Sequence, residues 1–348
     1  MHPGRSNLAD YTTLRLGGPA RRFVTATSES DIRQIVHDSD IDGDKTLILA
    51  GGSNVVVADA GFDGTVILIR SKGVSARRDG DDVEVTVQAG EDWEPFVARA
   101  VAEGWSGVEC LSGIPGSAGA TPMQNVGAYG QEVAELISGV RVLDRDTGEV
   151  AWRTAAECGF GYRTSVFRGN RRWVVLAVTF RLRASNRSAP VRYTELAAAL
   201  DVPIGTRVDT AAARDAVVRL RAGKGMVLDG ADPDTFSAGS FFTNPVLDGA
   251  EFDALSARAA DITAPPAWPG ADGTVKTSAA WLIENAGFKK GYGSSRVAIS
   301  TKHTLALTNR GDGTTAELLA LAREIRDGVV ARFGVELHLE PVLVDCEL

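Results

Sequence analysis

The run Glu109–Val133, E-C-L-S-G-I-P-G-S-A-G-A-T-P-M-Q-N-V-G-A-Y-G-Q-E-V, carries Gly113, Gly116, Gly119, Gly127 and Gly130, with Pro115 and Pro122 between them. Neither a helix interior nor a central strand tolerates that density of breakers, because glycine loses too much entropy and proline lacks a donor. Such a run instead brings bare backbone N–H groups against a flat or anionic ligand. Ser117, Ala118, Ala120 and Thr121 are small enough to keep that approach clear, while Gln124 and Asn125 add amide donors and acceptors. The plainer reading is a long structural loop. No G-x-G-x-x-G closes a strand and opens a helix here, so this is not the dinucleotide fingerprint. A second turn, Ala50-Gly51-Gly52-Ser53-Asn54, lies between the apolar runs Thr46–Leu49 and Val55–Val57. Two such turns ahead of an ionisable C-terminal half point to a nucleotide cofactor cradled by loops.

Three further segments hold groups able to act on a substrate. Gly159-Phe160-Gly161-Tyr162-Arg163-Thr164-Ser165 sets an arginine in a flexible, aromatic-flanked turn. Ser237-Ala238-Gly239-Ser240-Phe241-Phe242-Thr243-Asn244-Pro245 places a serine between a glycine and two bulky rings, and Leu339-Glu340-Pro341 puts a carboxylate before a proline. Each has a bland alternative: Arg163 as a surface ion-pair partner, Ser240 as a turn or cap residue, Glu340 as a solvated strand residue. Lys224 and Lys276 carry less, since lysines are usually solvated.

Other chemistries find no support. Gly223-Lys224 lacks a glycine five positions earlier, so it is no P-loop, and there is no G-x-S-x-G elbow. His2, His37, His303 and His338 never share a helix face at ligand spacing, so no metal is expected. The net charge of −8 and the absence of a polybasic run argue against nucleic acid or membrane as a partner. Cys110, Cys158 and Cys346 are odd in number and far apart, which fits a reducing cytoplasm rather than a disulfide framework.

The elements that would position these groups follow from pattern. Ser28 with Asp31 is a capping box for a helix carrying Ile32, Ile35 and Val36. Strands are expected at about 46–50, 55–58 and 65–70, forming one small unit with the Gly51-Gly52 turn at its edge. Val83, Val85 and Val87 alternate with polar residues as in a strand with one wet face. Asp92 should open a helix that stops at Gly104. Residues 140–152 read as a hairpin around Asp146-Thr147-Gly148, and 173–182 as a buried strand. Residues 184–190 look like a linker. The second half is helical at about 193–200, 209–222, 250–261 and 279–287, and Thr314 with Glu317 caps a helix ending at Gly334. The alternation of Val335, Leu337 and Leu339 with Glu336, His338 and Glu340 predicts a final strand that returns to an earlier sheet.

Taken together and in order, G-G-S-N-V (51–55), I-P-G-S-A-G-A-T-P-M-Q-N-V-G-A-Y-G (114–130), G-Y-R-T-S-V-F (161–167), A-G-S-F-F-T-N-P (238–245), W-L-I-E (281–284) and L-E-P (339–341) closely resemble the UDP-N-acetylenolpyruvoylglucosamine reductases, the MurB family. The similarity runs from about Thr13 to about Val344. The glycine-rich parts alone would also match the wider family of flavin-binding oxidases, whereas Arg163, Ser240 and Glu340 single out the reductase. Tyr193 in R-Y-T-E-L resembles the subclass whose tyrosine-bearing loop closes over substrate.

The resemblance implies an α+β flavoprotein with a two-part FAD-binding domain of the vanillyl-alcohol-oxidase-like (PCMH) type and a C-terminal α+β substrate domain. The implied division is 1–185 for FAD, in subdomains 1–72 and 73–185, then 190–335 for substrate, with 336–348 returning to the first subdomain. It implies non-covalent FAD along Ala50, Gly51, Gly52, Ser53, Asn54 and Val55, and along Gly113, Ile114, Pro115, Gly116, Ser117, Gly119, Ala120, Gln124, Asn125 and Gly127. NADPH is the implied co-substrate, and UDP-N-acetylglucosamine enolpyruvate the acceptor, reduced to UDP-N-acetylmuramate for peptidoglycan in the cytoplasm by a monomer. Arg163 would clamp the substrate carboxylate, Glu340 would donate a hydrogen bond to it, and Ser240 would protonate the adjacent carbon. Tyr129, Tyr193, Lys224, Asn244, Lys276 and Glu284 match substrate-contacting positions. Asn285 departs from the family pattern, where many relatives carry glutamine, and Ala118 and Ala120 vary within the loop while staying small. Two alternatives remain at this stage: an FAD oxidase on the same cofactor fold, and a nucleotide-sugar sensor without turnover.

Overall fold

The computed structural model describes residues 6–348 and, of Ala271, the backbone only. The chain forms two compact units. One comprises Ala20–Gly52 and Asp63–Val227, the other Asn7–Pro19, Ser53–Phe62 and Leu228–Leu348.

In chain order the elements are β1 (Ala20–Ala26), α1 (Glu29–Ile41), β2 (Thr46–Leu49), β3 (Val55–Val57), β4 (Phe62–Ile69), β5 (Val74–Asp79) and β6 (Asp82–Gln88). Then come α2 (Trp93–Ala102), β7 (Ile137–Asp144), β8 (Val150–Thr154), β9 (Trp173–Ala184), α3 (Thr194–Leu200) and α4 (Thr210–Gly223). The capping box at α1 forms as its sequence dictates: Ser28 accepts from the Asp31 amide at 3.0 Å, and the Asp31 carboxylate accepts from the Ser28 amide at 3.1 Å. In the first unit a three-stranded sheet runs β1-β4-β2, with β2 and β4 parallel. A second, antiparallel sheet runs β8-β7-β9-β6-β5. Helix α2 buries Trp93 and Phe96 against Phe180 of β9, with ring centroids 5.5 to 5.6 Å apart. The Trp93 indole N–H finds the Leu111 carbonyl at 3.0 Å, which ties this core to the glycine-rich loop.

The second unit holds α5 (Gly249–Arg258), α6 (Ala279–Asn285), α7 (Thr315–Phe333) and β10 (Val342–Val344). Its core gathers Phe241, Phe242, Leu282, Ile325 and Phe333. Besides its own capping box, α7 receives the Asp59 carboxylate, which accepts from the Thr315 and Ala316 amides at 2.8 and 2.9 Å. An anion at that end also suits the helix dipole.

Two expectations need correction. Val55–Val57 does not join the sheet of β2 and β4; it pairs in parallel with β10, Val55 opposite Val342 and Val57 opposite Val344. Val56 and Val57 are buried, so this all-apolar triplet has no wet face and needs cover on both sides. The terminal strand also lies later than expected. Val335 and Leu337 are buried and Glu336 and His338 exposed, as the alternation predicts, but Leu339 and Glu340 are alike half-buried, only Leu339 makes a bridge, to Phe242, and the ladder begins at Val342. The 184–190 stretch runs on within the first unit. Glu109, wholly buried, accepts from the Ala189 amide at 2.7 Å, and Val191, Leu196, Ala216 and Val217 pack with Cys110. Cys110, Cys158 and Cys346 are all free thiols.

The loop ahead of Ser240 is fastened by Asp234, buried at 4% exposure. It accepts from the Thr301 amide at 2.9 Å and the Thr301 hydroxyl at 2.5 Å, and pairs with Arg310 at 2.6 Å. Burial pushes its carboxyl pKa up, but the Thr301 hydrogen bonds and the Arg310 guanidinium outweigh that and hold it below the ordinary value. A depressed folded pKa gives stability that is present above the unfolded value, about 4, and lost as pH falls through the folded one. Asp234→Asn should therefore lower the melting temperature at pH 7, by the equivalent of about 1–3 kcal/mol, with the gap to wild type narrowing as the pH falls below about 4. A gap that stays constant as the pH falls would contradict this.

Candidate active site

In the first unit the glycine-rich loop is strapped to the entry of α2. The Trp93 amide donates to Gly116 O at 3.0 Å, the Ala118 amide to Glu91 O at 2.8 Å and the Gly119 amide to Ala89 O at 2.9 Å. The Gly113 amide donates to the Glu94 carboxylate, which Arg214 also grips. The two glycine turns touch back to back: a Cβ on Gly51 would sit 2.6 Å from Gly116 Cα, and one on Gly119 would sit 2.5 Å from Ala89 Cβ. Gly116 has φ 122, open to glycine and closed to most side chains. Ser117 lies in this cradle with its hydroxyl buried and without a hydrogen-bond partner. Bare backbone, no room for a Cβ and one unspent hydroxyl fit a dinucleotide cofactor.

Arg163 is held beside that loop. Gly161 and Thr164 exchange backbone hydrogen bonds at 3.1 and 3.3 Å, which closes a tight turn with Arg163 at φ 52. Asn125, 1% exposed, fastens the turn: its amide nitrogen donates to Gly161 O at 3.0 Å and to Glu132 at 2.7 Å, and its oxygen accepts from the Ala134 amide at 3.1 Å. Ser165 adds a bond to Met123 O at 2.7 Å, and the Arg163 guanidinium donates to Gly127 O at 3.2 Å. Asn125, assigned above to cofactor, thus has its side chain committed to the protein. Asn125, Tyr129 and Arg163 all adopt left-handed backbone within this one region. Such strain costs about 1–3 kcal/mol per residue and persists where surrounding bonds over-determine it.

Tyr129, Tyr193 and Lys224 also meet. The two rings lie edge to face at 5.4 Å, and Lys224 Nζ is 5.6 Å from the Tyr129 ring centroid. Burial pushes the Tyr129 phenol up to about 12, so it remains a neutral donor at physiological pH. Beneath them Arg221 is 9% exposed, donates to Met226 O at 2.9 Å and, among the described residues, has no carboxylate at ion-pair distance. Its Nε has no hydrogen-bond partner, and it faces Gly113. Sequence reasoning passed over Arg221. The signal was there, since Ala213, Ala216, Val217 and Arg221 share the buried stripe of α4 and a charge on such a stripe is rare.

In the second unit the chain brings Ser240 and Glu340 onto adjacent segments. The Glu340 amide donates to Phe241 O at 3.0 Å, Phe242 bridges Leu339, and the Phe241 amide donates to Leu305 O at 2.7 Å. Asn54 donates to Glu340 O at 3.4 Å and its carbonyl accepts from the Val342 amide at 3.0 Å. Ser240 and Glu340 are each half-buried. Asn244, Lys276 and Glu284 gather around α6: Asn244 accepts from the Ala279 amide at 3.0 Å, Glu284 takes the Thr304 hydroxyl, and Lys276 lies in register with Val246 and Trp268. Asn285 bends back to the Trp281 carbonyl of its own helix at 2.8 Å. Among the described residues no group of His, Cys, Asp and Glu is arranged to hold a metal ion, and no helix is long and apolar enough to cross a membrane.

Comparison with known proteins decides what this arrangement serves. A family model for an FAD binding domain matches residues 20–153, and one for the C-terminal domain of UDP-N-acetylenolpyruvoylglucosamine reductase matches 232–344. The reductase of that name from Salinispora arenicola is 62% identical over the whole of this chain and 97% of its own length. That from Thermobifida fusca is 57% identical over 98% of this chain and 97% of its own. The chain belongs to this family. It is accordingly an FAD-dependent oxidoreductase of peptidoglycan precursor synthesis with NADPH as co-substrate, and neither the oxidase nor the sensor reading is favoured. The crystal structure of the reductase from Thermus caldophilus has the same fold, with TM-score 0.65 and 23% identity over 99% of both chains.

Gly51→Ala puts a methyl group into backbone that has no side chain to move aside. The variant should be purified with far less FAD per chain than wild type and melt at a lower temperature. Gly249→Ala, where a Cβ meets nothing within 4 Å, should keep both. Full flavin content in the Gly51 variant would show that the two turns part more easily than their contact implies.

Proposed function

We propose that Arg163, Ser240 and Glu340 carry the reduction of the enolpyruvyl ether of UDP-N-acetylglucosamine to UDP-N-acetylmuramate. The observation that supports this most is the strained turn of Arg163, laced by Asn125 and Ser165 to the glycine-rich loop. FAD would be held without a covalent link along Ala50–Val55 and the 113–127 loop, and when bound it would supply the hydride that reduces the alkene. Negative charge then develops across the enolate and its carboxylate. Fixed donors aimed at that charge lower the barrier without reorganising. Arg163 offers a planar, permanently charged fork matched to a carboxylate. Glu340, protonated in the working complex, donates a hydrogen bond to the same group. Ser240 gives its proton to the carbon next to the carboxylate and is reprotonated from solvent. A serine is a weak acid, but an enolate with two negative charges is basic enough to take its proton.

Lys224, Lys276 and Tyr193 suit the diphosphate of the substrate, while Tyr129, as a neutral donor, Asn244 and Glu284 complete the substrate contacts. Arg221, a buried cation beside Gly113 with no carboxylate partner, faces an anionic part of the cofactor, because an uncompensated buried charge is costly. In functional terms residues 1–185 hold FAD and 190–335 cover the substrate. The enzyme works as a cytoplasmic monomer, where its nucleotide-sugar substrate is made.

Ser240→Ala should leave bleaching of the flavin by NADPH near the wild-type rate. It should slow recovery of the flavin on adding the enolpyruvyl substrate by about 10²–10⁴-fold. Two unchanged half-reactions would assign the proton to another residue. Acid precipitation should release the yellow colour into the supernatant, and colour retained in the pellet would mean a covalent flavin.

A further inference from the structure

The ammonium of Lys224 already has an anion. Glu195 Oε2 lies 2.5 Å from Lys224 Nζ, on the first turn of α3 and two residues after Tyr193. Glu195, Lys224, Tyr129 and Tyr193 therefore form one cluster, with the lysine between a carboxylate and an aromatic face. The pair is easily broken. Its side chains remain 33% and 39% exposed, and pairs of that kind contribute about 0.2–1 kcal/mol. Two further acids of this region are already engaged, Glu94 by Arg214 and the Gly113 amide and Glu135 by Arg192. The Lys224–Glu195 contact thus neutralises a half-exposed cation beside Tyr129 and Tyr193, through a bond weak enough for a ligand to replace.

We infer that Glu195 is an internal counterion that occupies Lys224 in the free enzyme and is displaced by the diphosphate of the nucleotide sugar. This rests on the assignment of Lys224 to that diphosphate. Binding then exchanges one anion for another, and a sugar without the doubly charged diphosphate gains too little to open the pair. The same first turn of α3 follows Tyr193, its N-terminal flanking residue, so release of Glu195 and movement of the Tyr193 segment are one event. Glu195 acts through Lys224 and does not itself touch substrate, so it is a specificity-setting residue.

The test uses the oxidised holoenzyme and the product UDP-N-acetylmuramate, which binds without turnover, with affinity read from the flavin band. Glu195→Gln keeps the shape and removes the charge. It should bind the product about two- to fivefold more tightly at low ionic strength, with the gain fading at about 0.5 M salt. In turnover it should lower KM and leave kcat unchanged. Lys224→Met should bind more weakly, and adding Glu195→Gln to it should give no gain. If Lys224→Met weakens binding while Glu195→Gln weakens it too or leaves it unchanged, Glu195 merely positions the lysine and the counterion role is overturned. The assignment of Lys224 then survives. If Lys224→Met binds normally, that assignment falls and the counterion role falls with it.

Discussion

The arrangement in the first unit depends on a single buried amide. Asn125 spends its nitrogen on the Gly161 carbonyl and Glu132, and its oxygen on the Ala134 amide, from a position almost sealed from water. In so doing it joins a cofactor loop rich in glycine to the turn that presents Arg163. Left-handed backbone at Asn125, Tyr129 and Arg163 would relax if these bonds were exposed to solvent. Buried and fully paired, they hold a conformation that the local sequence alone would not choose. An asparagine suits the task because its amide donates twice and accepts on the other side, within a short side chain that tolerates positive φ.

The second unit solves a related problem with backbone alone. Ser240 is fixed because Phe241 and Phe242 on its C-terminal side are wholly buried and because Phe241 hydrogen-bonds to Leu305 on one side and Glu340 on the other. Glu340 is fixed in turn by Asn54 and by the β10 ladder that starts two residues later. The Ser240 segment is thus held through the backbone and the buried rings beside it, which is how a weak acid such as serine is kept half-exposed and pointed by rigid neighbours.

Charge is distributed unevenly between structure and ligand binding. Glu109, Asp234 and Asp59 are acids whose oxygens are taken up by backbone amides and, for Asp234, an arginine; they fasten loops and a helix end. Arg221 and Ser117 have the opposite character, since each is buried with polar atoms the protein does not satisfy. Lys224 stands between these cases, paired but loosely. Sites whose polar groups are left open in an otherwise satisfied interior are where a ligand contributes most.

Much of this was legible from residue order. Capping boxes at Ser28 and Thr314, the alternation of Val83 to Val87 and the Gly334 stop each rest on contacts within a few residues, and each forms as read. Arg163, Ser240 and Glu340 were singled out by their flanking glycines, rings and proline, although each also had a plain structural reading. What escaped depends on distant partners. Val55–Val57 reads equally well as part of the first sheet, and only residues nearly 290 positions away decide otherwise. Residues 335–338 have a strand's alternation of burial, yet residues 338–340 meet the 241–243 segment through a single bridge rather than a ladder. Arg221 was hidden by the habit of treating arginine as surface, and Asn125 by the expectation that amides in a glycine-rich loop face the ligand. The central claim, that this chain moves a hydride from NADPH through FAD to an enolpyruvyl nucleotide sugar, is tested most directly by anaerobic absorbance of the purified protein. NADPH should bleach the flavin band, and one equivalent of UDP-N-acetylglucosamine enolpyruvate should then restore it fully in the absence of oxygen. A band that returns only when oxygen is admitted would contradict the account.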